Sequence, residues 1–140
     1  MRWPHRIAAG MGTALLVVVV SLWLTLLSPF GYTPPEGLPP IPDGETHEVF
    51  VYGTLRHPIV RRVVIGRRGD VRPAILVGFR RRWLNIEPAS GGHVGGMILK
   101  VSSEELRRLD RYERLGIRYE RVRRELRDGS NAWVYRRMSP

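Results

Sequence analysis

Hydrophobic residues follow three different patterns along the chain. The stretch 7–27 carries no charged residue, and a bilayer core of roughly 30 Å needs about 20 apolar helical residues, so it is long enough to span a membrane. Residues 28–46 are rich in proline and glycine, which predicts an extended linker instead of a helix. Beyond them, short apolar runs alternate with turn residues. The chain is therefore predicted to consist of a basic segment over 1–6, a transmembrane helix over 7–27, a linker over 28–46 and one small domain over 47–140.

The pattern inside the domain predicts more strands than helices. The glycine-rich stretch Pro88–Gly96 predicts a turn. Ser102–Glu105 has the capping-box pattern that begins a helix, and this helix is predicted to end at Tyr112 or Glu113, before Gly116. The order predicts an α+β fold, a small mixed barrel-like sheet with one main helix across it. The other predicted elements are about two turns of helix between Arg56 and Asp70, a hairpin turn at Asp128-Gly129, and strands at Val49–Tyr52, Ala74–Phe79, Trp83–Ile86, Val94–Val101, Tyr119–Leu126 and Ala132–Arg136.

The flanks of the apolar stretch predict its orientation. Arg2 and Arg6 precede it, and the next basic residue after it is Arg56. Because lysine and arginine favour the cytoplasmic side, the N-terminus is predicted to be cytoplasmic and the domain extracytoplasmic, in a single-pass membrane protein. Aromatic residues, which are common at membrane interfaces, stand near both ends of the stretch: Trp3, Trp23 and Phe30.

A cleaved secretory signal is the alternative, since Arg2 and Arg6 would also suit a leader peptide. The apolar stretch is longer than the roughly 7–15 residues of a typical signal core. The sequence Leu27–Phe30 is also a poor cleavage context. These two observations favour an uncleaved signal anchor.

The formal charge of +10 raises the question of an anionic partner. Lys100 is the only lysine, and the arginines are scattered along the chain without a recognition helix or an aromatic platform. Nucleic-acid binding is therefore not expected. Weak attraction to acidic lipid headgroups is more plausible for a domain tethered beside a membrane.

One carboxylate is predicted to lie on the buried face of the main helix. At about 100° per residue, Leu106 and Leu109 define an inward stripe, and Glu113 falls between them in angle. Partial desolvation and the negative end of the helix dipole should both raise its pKa, as a general base requires. The structural alternative is an ion pair between Glu113 and Arg118 or Arg121. Asp110, on the edge of the same face, is expected to be structural.

The second candidate feature is the turn Tyr52-Gly53-Thr54-Leu55, directly after the first predicted strand. Gly53 permits backbone angles that other residues disfavour, so successive amides can converge on an anion. A turn that merely ends the strand is the alternative. By itself this motif is a weak signal.

Together, the turn Tyr52–Leu55 and the helix end Leu109-Asp110-x-x-Glu113 resemble those of the gamma-glutamylcyclotransferase-like (AIG2-like) family. The similarity continues through Pro88…Gly92-x-Val94-x-Gly96, Tyr119-x-Arg121 and Ala132-x-Val134-Tyr135.

The resemblance implies catalysis by Glu113 and substrate binding by Tyr52, Gly53, Thr54, Leu55 and Tyr119. The implied reaction is cyclisation of a small gamma-glutamyl amine to 5-oxoproline and a free amine, with no metal and no cofactor.

Three features depart from the family pattern. Arg114 stands where the family often has glycine, and the segment after the first motif is short. A fused membrane anchor is also unusual, which puts the usual cytosolic substrates in doubt. A catalytically silent, membrane-tethered binding module on the same fold therefore remains the alternative function. The three domain histidines have no metal-ligand spacing and are expected on the surface or in loops: His47, His57 and His93.

Overall fold

The apolar stretch at the N-terminus is helical. In the computed structural model, which describes residues 3–26 and 31–139, helix α1 runs from Trp3 to Leu26. Within it, Arg6–Thr25 has a mean hydropathy of 2.3 and is long and apolar enough to cross a membrane. A signal sequence can have the same length and composition. The side chain of Trp3 lies outside the described part of the chain. So do several whole residues that flank the apolar stretch: Arg2, Leu27, Ser28, Pro29 and Phe30.

The second unit of the chain, Pro34–Pro140, is built on one curved sheet. Its strand order is β2-β3-β1-β5-β4, with β1 and β5 parallel and the other neighbours antiparallel. The two edges approach each other where Leu76 bridges Leu126 and the Arg127 amide donates to the Ile75 carbonyl at 2.9 Å. The sheet is thus a mixed half-barrel, which confirms the predicted fold class. Its strands are β1 (Thr46–Val51), β2 (Val71–Arg82), β3 (Asn85–Ser102), β4 (Tyr119–Glu125) and β5 (Asn131–Arg137).

Strand β1 lies at the centre of the sheet and is buried on both faces. Because side chains alternate across a strand, Val49 and Val51 share one face and Phe50 and Tyr52 share the other. All four are at most 5% exposed. The rings of Phe50 and Tyr52 stack at 6.2 Å inside the half-barrel. The rest of this core comes from β2, β3 and β5 and from the residue directly after β4: Leu76, Phe79, Ile86, Val94, Ile98, Leu126, Ala132 and Val134.

Three helical segments complete the unit. A short 3₁₀ helix, Thr54–Arg56, follows β1 and leads into α2, Pro58–Ile65. Helix α3 spans Ser103–Tyr112 and begins with the predicted capping box between Ser102 and Glu105. Its inward residues Leu106 and Leu109 are fully buried, as the helical pattern predicts.

The predicted turn over Pro88–Gly96 is wrong, because this stretch lies inside β3. The register of the β2–β3 pair shifts there: Val77 pairs with His93, whereas Phe79 pairs with Pro88. The extra residues of β3 form a large bulge, which accounts for the glycine and proline content that suggested a turn.

A Cβ at Gly96 would lie 2.4 Å from the Val51 carbonyl oxygen. This glycine is therefore required by the close approach of β1.

The later part of the Pro/Gly-rich segment lies against the domain. The carbonyl of Pro39 accepts from Arg121 at 3.1 Å, and that of Pro42 accepts from the Ser103 hydroxyl at 2.5 Å. Ser103 is also 3.0 Å from the His47 ring, which is 5% exposed. The expectation of a surface His47 is therefore wrong, because its ring is sequestered beside Ser103. His57 and His93 are not buried, as expected.

Candidate active site

The two motifs identified in the sequence lie side by side. The turn Tyr52–Leu55 leaves the end of β1, and Glu113 caps the C-terminal end of α3. The hydroxyl oxygens of Thr54 and Tyr112 are 3.0 Å apart, a hydrogen-bond distance that joins the turn to the end of the helix. The fold therefore brings together the glycine turn and the carboxylate, although they are far apart in the sequence.

The glycine turn has an accessible main chain at Gly53, whereas hydrogen bonds hold its main chain at Leu55 and Arg56. The φ of Gly53 is −105°, outside the left-handed region, so φ alone does not require glycine there. A Cβ at this position would meet only Leu84 Cδ2, at 3.6 Å. The first amides of a helix have no partner inside it, and Gly53, which precedes this 3₁₀ helix, has no side chain that could cap them. The Leu55 side chain packs in the core at 4% exposed, so this residue offers a ligand its main chain.

Arg61 holds the far end of this turn. It is 4% exposed and donates to the carbonyls of Leu55 at 3.0 Å, Arg56 at 2.7 Å and Arg68 at 2.5 Å. No sequence pattern indicated this role, since Arg61 stands beside the exposed Arg62 in what resembles a scattered surface pair. Its helical position, one turn before the buried Ile65, is the only signal that marks it as inward.

Glu113 is a half-buried carboxylate with a raised pKa. Its backbone amide donates to the Leu109 carbonyl at 2.9 Å, which places the residue directly after the last turn of α3. Burial raises the pKa of the side chain from 4.5 to about 7. Desolvation, the first of the two causes considered from the sequence, accounts for this direction.

The alternative of a structural ion pair at Glu113 does not hold. Among residues 31–139, no ion pair involves Glu113. Arg121, one of the two suggested partners, pairs instead with Asp110, at 2.9 Å and 3.3 Å. Asp110, which was expected to be structural, therefore forms the ion pair with Arg121.

Three tyrosines lie within reach of the Glu113 charge. Burial raises the pKa values of Tyr52, Tyr119 and Tyr135, and the negative charge of Glu113 adds to each rise. The Tyr52 hydroxyl donates to the Tyr135 carbonyl at 2.6 Å, and the Tyr119 hydroxyl donates to the Leu84 carbonyl at 3.1 Å. The hydroxyl protons of Tyr52 and Tyr119 are thus directed to carbonyls, so their oxygens remain available as acceptors.

A buried cluster of polar and aromatic side chains holds Tyr135 in place. The Tyr135 hydroxyl donates to the Asp110 carboxylate, which also receives the Arg121 guanidinium. Arg121 stacks on the ring of Trp133, with 4.2 Å between the guanidinium carbon and the ring centroid. Every member of this cluster comes from α3, β4 or β5, so it ties the end of α3 to the sheet and fixes where Glu113 lies.

Sequence reasoning missed several residues that shape the site. Tyr112 neighbours Glu113 but was considered only as a helix end, and Tyr135 only as part of a strand pattern. Leu84 was missed because it contributes a backbone carbonyl, which no side-chain pattern reveals. Among the described residues, no group of three or more His, Asp or Glu side chains is arranged to hold a metal ion.

Residues 49–139 match the family described as Gamma-glutamyl cyclotransferase, AIG2-like. The match covers well over half of the chain and both motifs of the site. The chain therefore belongs to this family.

Two relatives from Arabidopsis thaliana support the assignment. Protein AIG2 C is 38% identical over 87 residues, which cover 57% of this chain and 52% of that protein. AIG2-like protein A is 40% identical over 85 residues, which cover 56% of this chain and 50% of that protein. This chain thus spans about half the length of the curated relatives that it matches.

Solved structures agree on the fold. A solution structure from Arabidopsis thaliana is similar with a TM-score of 0.58 and 31% identity, covering 68% of this chain and 64% of that one. A structure described as a gamma-glutamyl cyclotransferase is similar with a TM-score of 0.52, covering 68% of each chain. At 18% identity, this second likeness concerns the fold alone.

Proposed function

We propose that this protein is a gamma-glutamylcyclotransferase-type enzyme, which releases 5-oxoproline and a free amine from a gamma-glutamyl amine. The observation that carries the proposal is Glu113, a carboxylate without an ion-pair partner among residues 31–139 and with a pKa of about 7. A group that titrates near neutral pH is suited both to accept and to return a proton. Its position beside the glycine turn gives it a place where a substrate can bind.

The reaction moves two protons from the alpha-nitrogen of the substrate to its leaving nitrogen. The free alpha-amine of the gamma-glutamyl group attacks the gamma-carbonyl carbon, which forms the five-membered ring, and the bond from that carbon to the leaving nitrogen breaks. Ionised Glu113 takes a proton from the alpha-ammonium, whose pKa is near 8 in free amines. Protonated Glu113 returns this proton to the leaving nitrogen, and the second proton that the ring nitrogen loses after the attack passes to the same nitrogen, so the amine leaves as an ammonium ion and the carboxylate is regenerated.

Because the nucleophile belongs to the substrate, the protein mainly has to hold the reactive conformer. The amides at Gly53 to Leu55 are suited to hold the glutamyl carboxylate or the oxyanion that develops on the gamma-carbonyl. The hydroxyl oxygens of Tyr52 and Tyr119 are acceptors, as described above, and an alpha-ammonium is a donor. We assign these two tyrosines to the amine end of the glutamyl group.

We further propose that α1 anchors the enzyme in a membrane, with the N-terminus cytoplasmic and the domain extracytoplasmic. The support for this is the length and apolar composition of Arg6–Thr25, together with the arginines at its N-terminal flank in the sequence. Such an anchor would restrict the enzyme to substrates found beside one face of a membrane.

The experiment that tests the enzymatic proposal is turnover of a panel of gamma-glutamyl amines by the full chain in detergent. We expect 5-oxoproline and the free amine in equal amounts. Release of glutamate would indicate hydrolysis instead of cyclisation and would contradict the mechanism. Binding of a gamma-glutamyl amine without any product would favour the alternative function, a catalytically silent binding module.

A further inference from the structure

The β2–β3 hairpin has a tip, Trp83 and Leu84, that reaches the candidate active site. The Tyr119 hydroxyl donates to the Leu84 carbonyl at 3.1 Å, and the Tyr52 hydroxyl oxygen, whose proton goes to the Tyr135 carbonyl, lies 3.5 Å from the same Leu84 oxygen. The Leu84 side chain approaches Gly53, where a Cβ would lie 3.6 Å from Leu84 Cδ2. The hairpin tip is therefore held against both the tyrosines and the glycine turn, and it forms part of the wall that a bound substrate would meet.

Trp83 occupies a turn position that disfavours a large side chain. The turn has two residues between the paired Arg82 and Asn85, and Trp83 has a φ of 58°. Two-residue hairpin turns usually place glycine, asparagine or aspartate at positions with positive φ, because a Cβ opposes this conformation. Trp83 is also 86% exposed, so burial does not compensate for the strain. An exposed aromatic residue in a strained turn beside a site points to a role in binding.

Arg81 supplies a positive charge beside the tip. Its neighbours Arg80 and Arg82 both pair with Glu87, at 3.1 Å and 3.2 Å. Arg81 has no carboxylate partner among residues 31–139, and its Nε donates to the Trp83 carbonyl at 2.8 Å. The charge of Arg81 opposes the rise in the pKa of Tyr52, so its field extends to the site.

We propose that Arg81 and Trp83 select the amine half of the substrate, and that they favour amides whose amine half carries a large apolar group and an anionic group. Trp83 would pack against the apolar group and Arg81 would pair with the anion, while the glycine turn and Glu113 act on the glutamyl half. This inference rests on the proposed cyclisation, and it names the substrate class that the motifs alone leave open.

Four substrates separate the two contacts. gamma-Glutamyl-phenylalanine carries a ring and a carboxylate, gamma-glutamyl-phenethylamine only the ring, gamma-glutamyl-alanine only the carboxylate, and gamma-glutamyl-ethylamine neither. The measurement is kcat/KM for 5-oxoproline release by the full chain in detergent. For the wild type, we expect gamma-glutamyl-phenylalanine to be the best of the four.

Two variants then test the residues individually. Trp83→Gly should reduce the preference for ring-bearing over ring-free substrates by about tenfold, the usual scale for an apolar contact in a binding pocket. Arg81→Gln should reduce the preference for carboxylate-bearing substrates by about threefold to fivefold, as expected for an exposed ion pair. The matched control is Arg82→Gln, which removes a neighbouring arginine whose partner is Glu87 and should leave both preferences unchanged.

A stability measurement distinguishes binding from a structural role. Because glycine adopts a positive φ without strain, Trp83→Gly should keep or raise the Tm. A large fall in Tm would show that Trp83 is held by packing and would overturn the inference, as would equal losses on all four substrates or unchanged preferences in both variants. A wild-type protein that releases no 5-oxoproline from any of the four would overturn the proposed function as well.

Discussion

At alkaline pH, the Glu113→Gln variant should be more stable than the wild type, whereas at acidic pH it should have no such advantage. The folded protein holds the Glu113 carboxyl with a pKa of about 7, whereas its ordinary value is 4.5. Between these values the folded state binds more protons than the unfolded state, so stability falls as pH rises through this window. The glutamine side chain would stay neutral at every pH, so the variant would not lose stability in this way.

The size of the effect follows from the displacement of the pKa. A shift from 4.5 to about 7 corresponds to about 3 kcal/mol when the group is fully ionised in both states. Since Glu113 is partly exposed, solvent relaxation makes this figure an upper limit. The variant should therefore match the wild type at pH 4, apart from a constant offset, and exceed it by up to about 3 kcal/mol at pH 8.5.

The assay is chemical unfolding of the two proteins in detergent at a series of pH values, followed by tryptophan fluorescence. Contributions from other carboxylates cancel in the difference, because both proteins contain them. Glu104→Gln is the matched control, since Glu104 belongs to the same helix and its side chain is 74% exposed; it should show no comparable pH dependence. A difference between Glu113→Gln and wild type that stays constant from pH 5 to 8.5 would refute a buried, pKa-shifted Glu113.

Three further predictions concern the support of the site and the anchor. Asp110→Asn leaves the buried Arg121 without a counter-charge and should lower the free energy of unfolding by about 3–5 kcal/mol; a loss below about 1 kcal/mol would show that the cluster does not depend on this pair. Arg61→Met leaves buried carbonyls of the glycine turn unpaired and should cost about 1–3 kcal/mol, measured by urea unfolding, whereas the exposed Arg62→Met should cost little. A reporter fused after Pro140 should be active outside the cytoplasm and the mature protein should keep its N-terminus; activity only in the cytoplasm would reverse the orientation, and a mature chain beginning near residue 28 would indicate a cleaved signal.

Sequence patterns predicted the elements that depend on residues close together in the chain. The capping box at Ser102 and the stripe of Leu106 and Leu109 indicated the position and inward face of α3, because both depend on residues within one or two turns. The same stripe predicted that Glu113 lies on the inward face, between Leu106 and Leu109 in angle. Resemblance to the family predicted that this carboxylate and the glycine turn belong to one site, which neither motif indicates by itself.

Other features depend on contacts between residues far apart in the sequence. Arg121 was a candidate partner for Glu113, and only the register of β4 beside α3 directs it to Asp110. His47 was expected on the surface, but the chain before β1 crosses Ser103 and encloses it. Pro88–Gly96 was interpreted as a turn, because a strand segment with a large bulge can be as rich in glycine as a loop. In each case the deciding neighbour lies on another element of the fold.

The central claim is that Glu113 transfers the proton in an intramolecular cyclisation, and its most direct test is 5-oxoproline release by Glu113→Gln. Glutamine keeps the size and hydrogen-bonding capacity of the side chain but cannot accept the proton. We expect kcat for the best gamma-glutamyl amine to fall by about 10²-fold or more, while the variant remains folded and the wild-type rate rises with pH through about 7, the pKa of Glu113. A Glu113→Gln protein that releases 5-oxoproline at the wild-type rate would contradict the account.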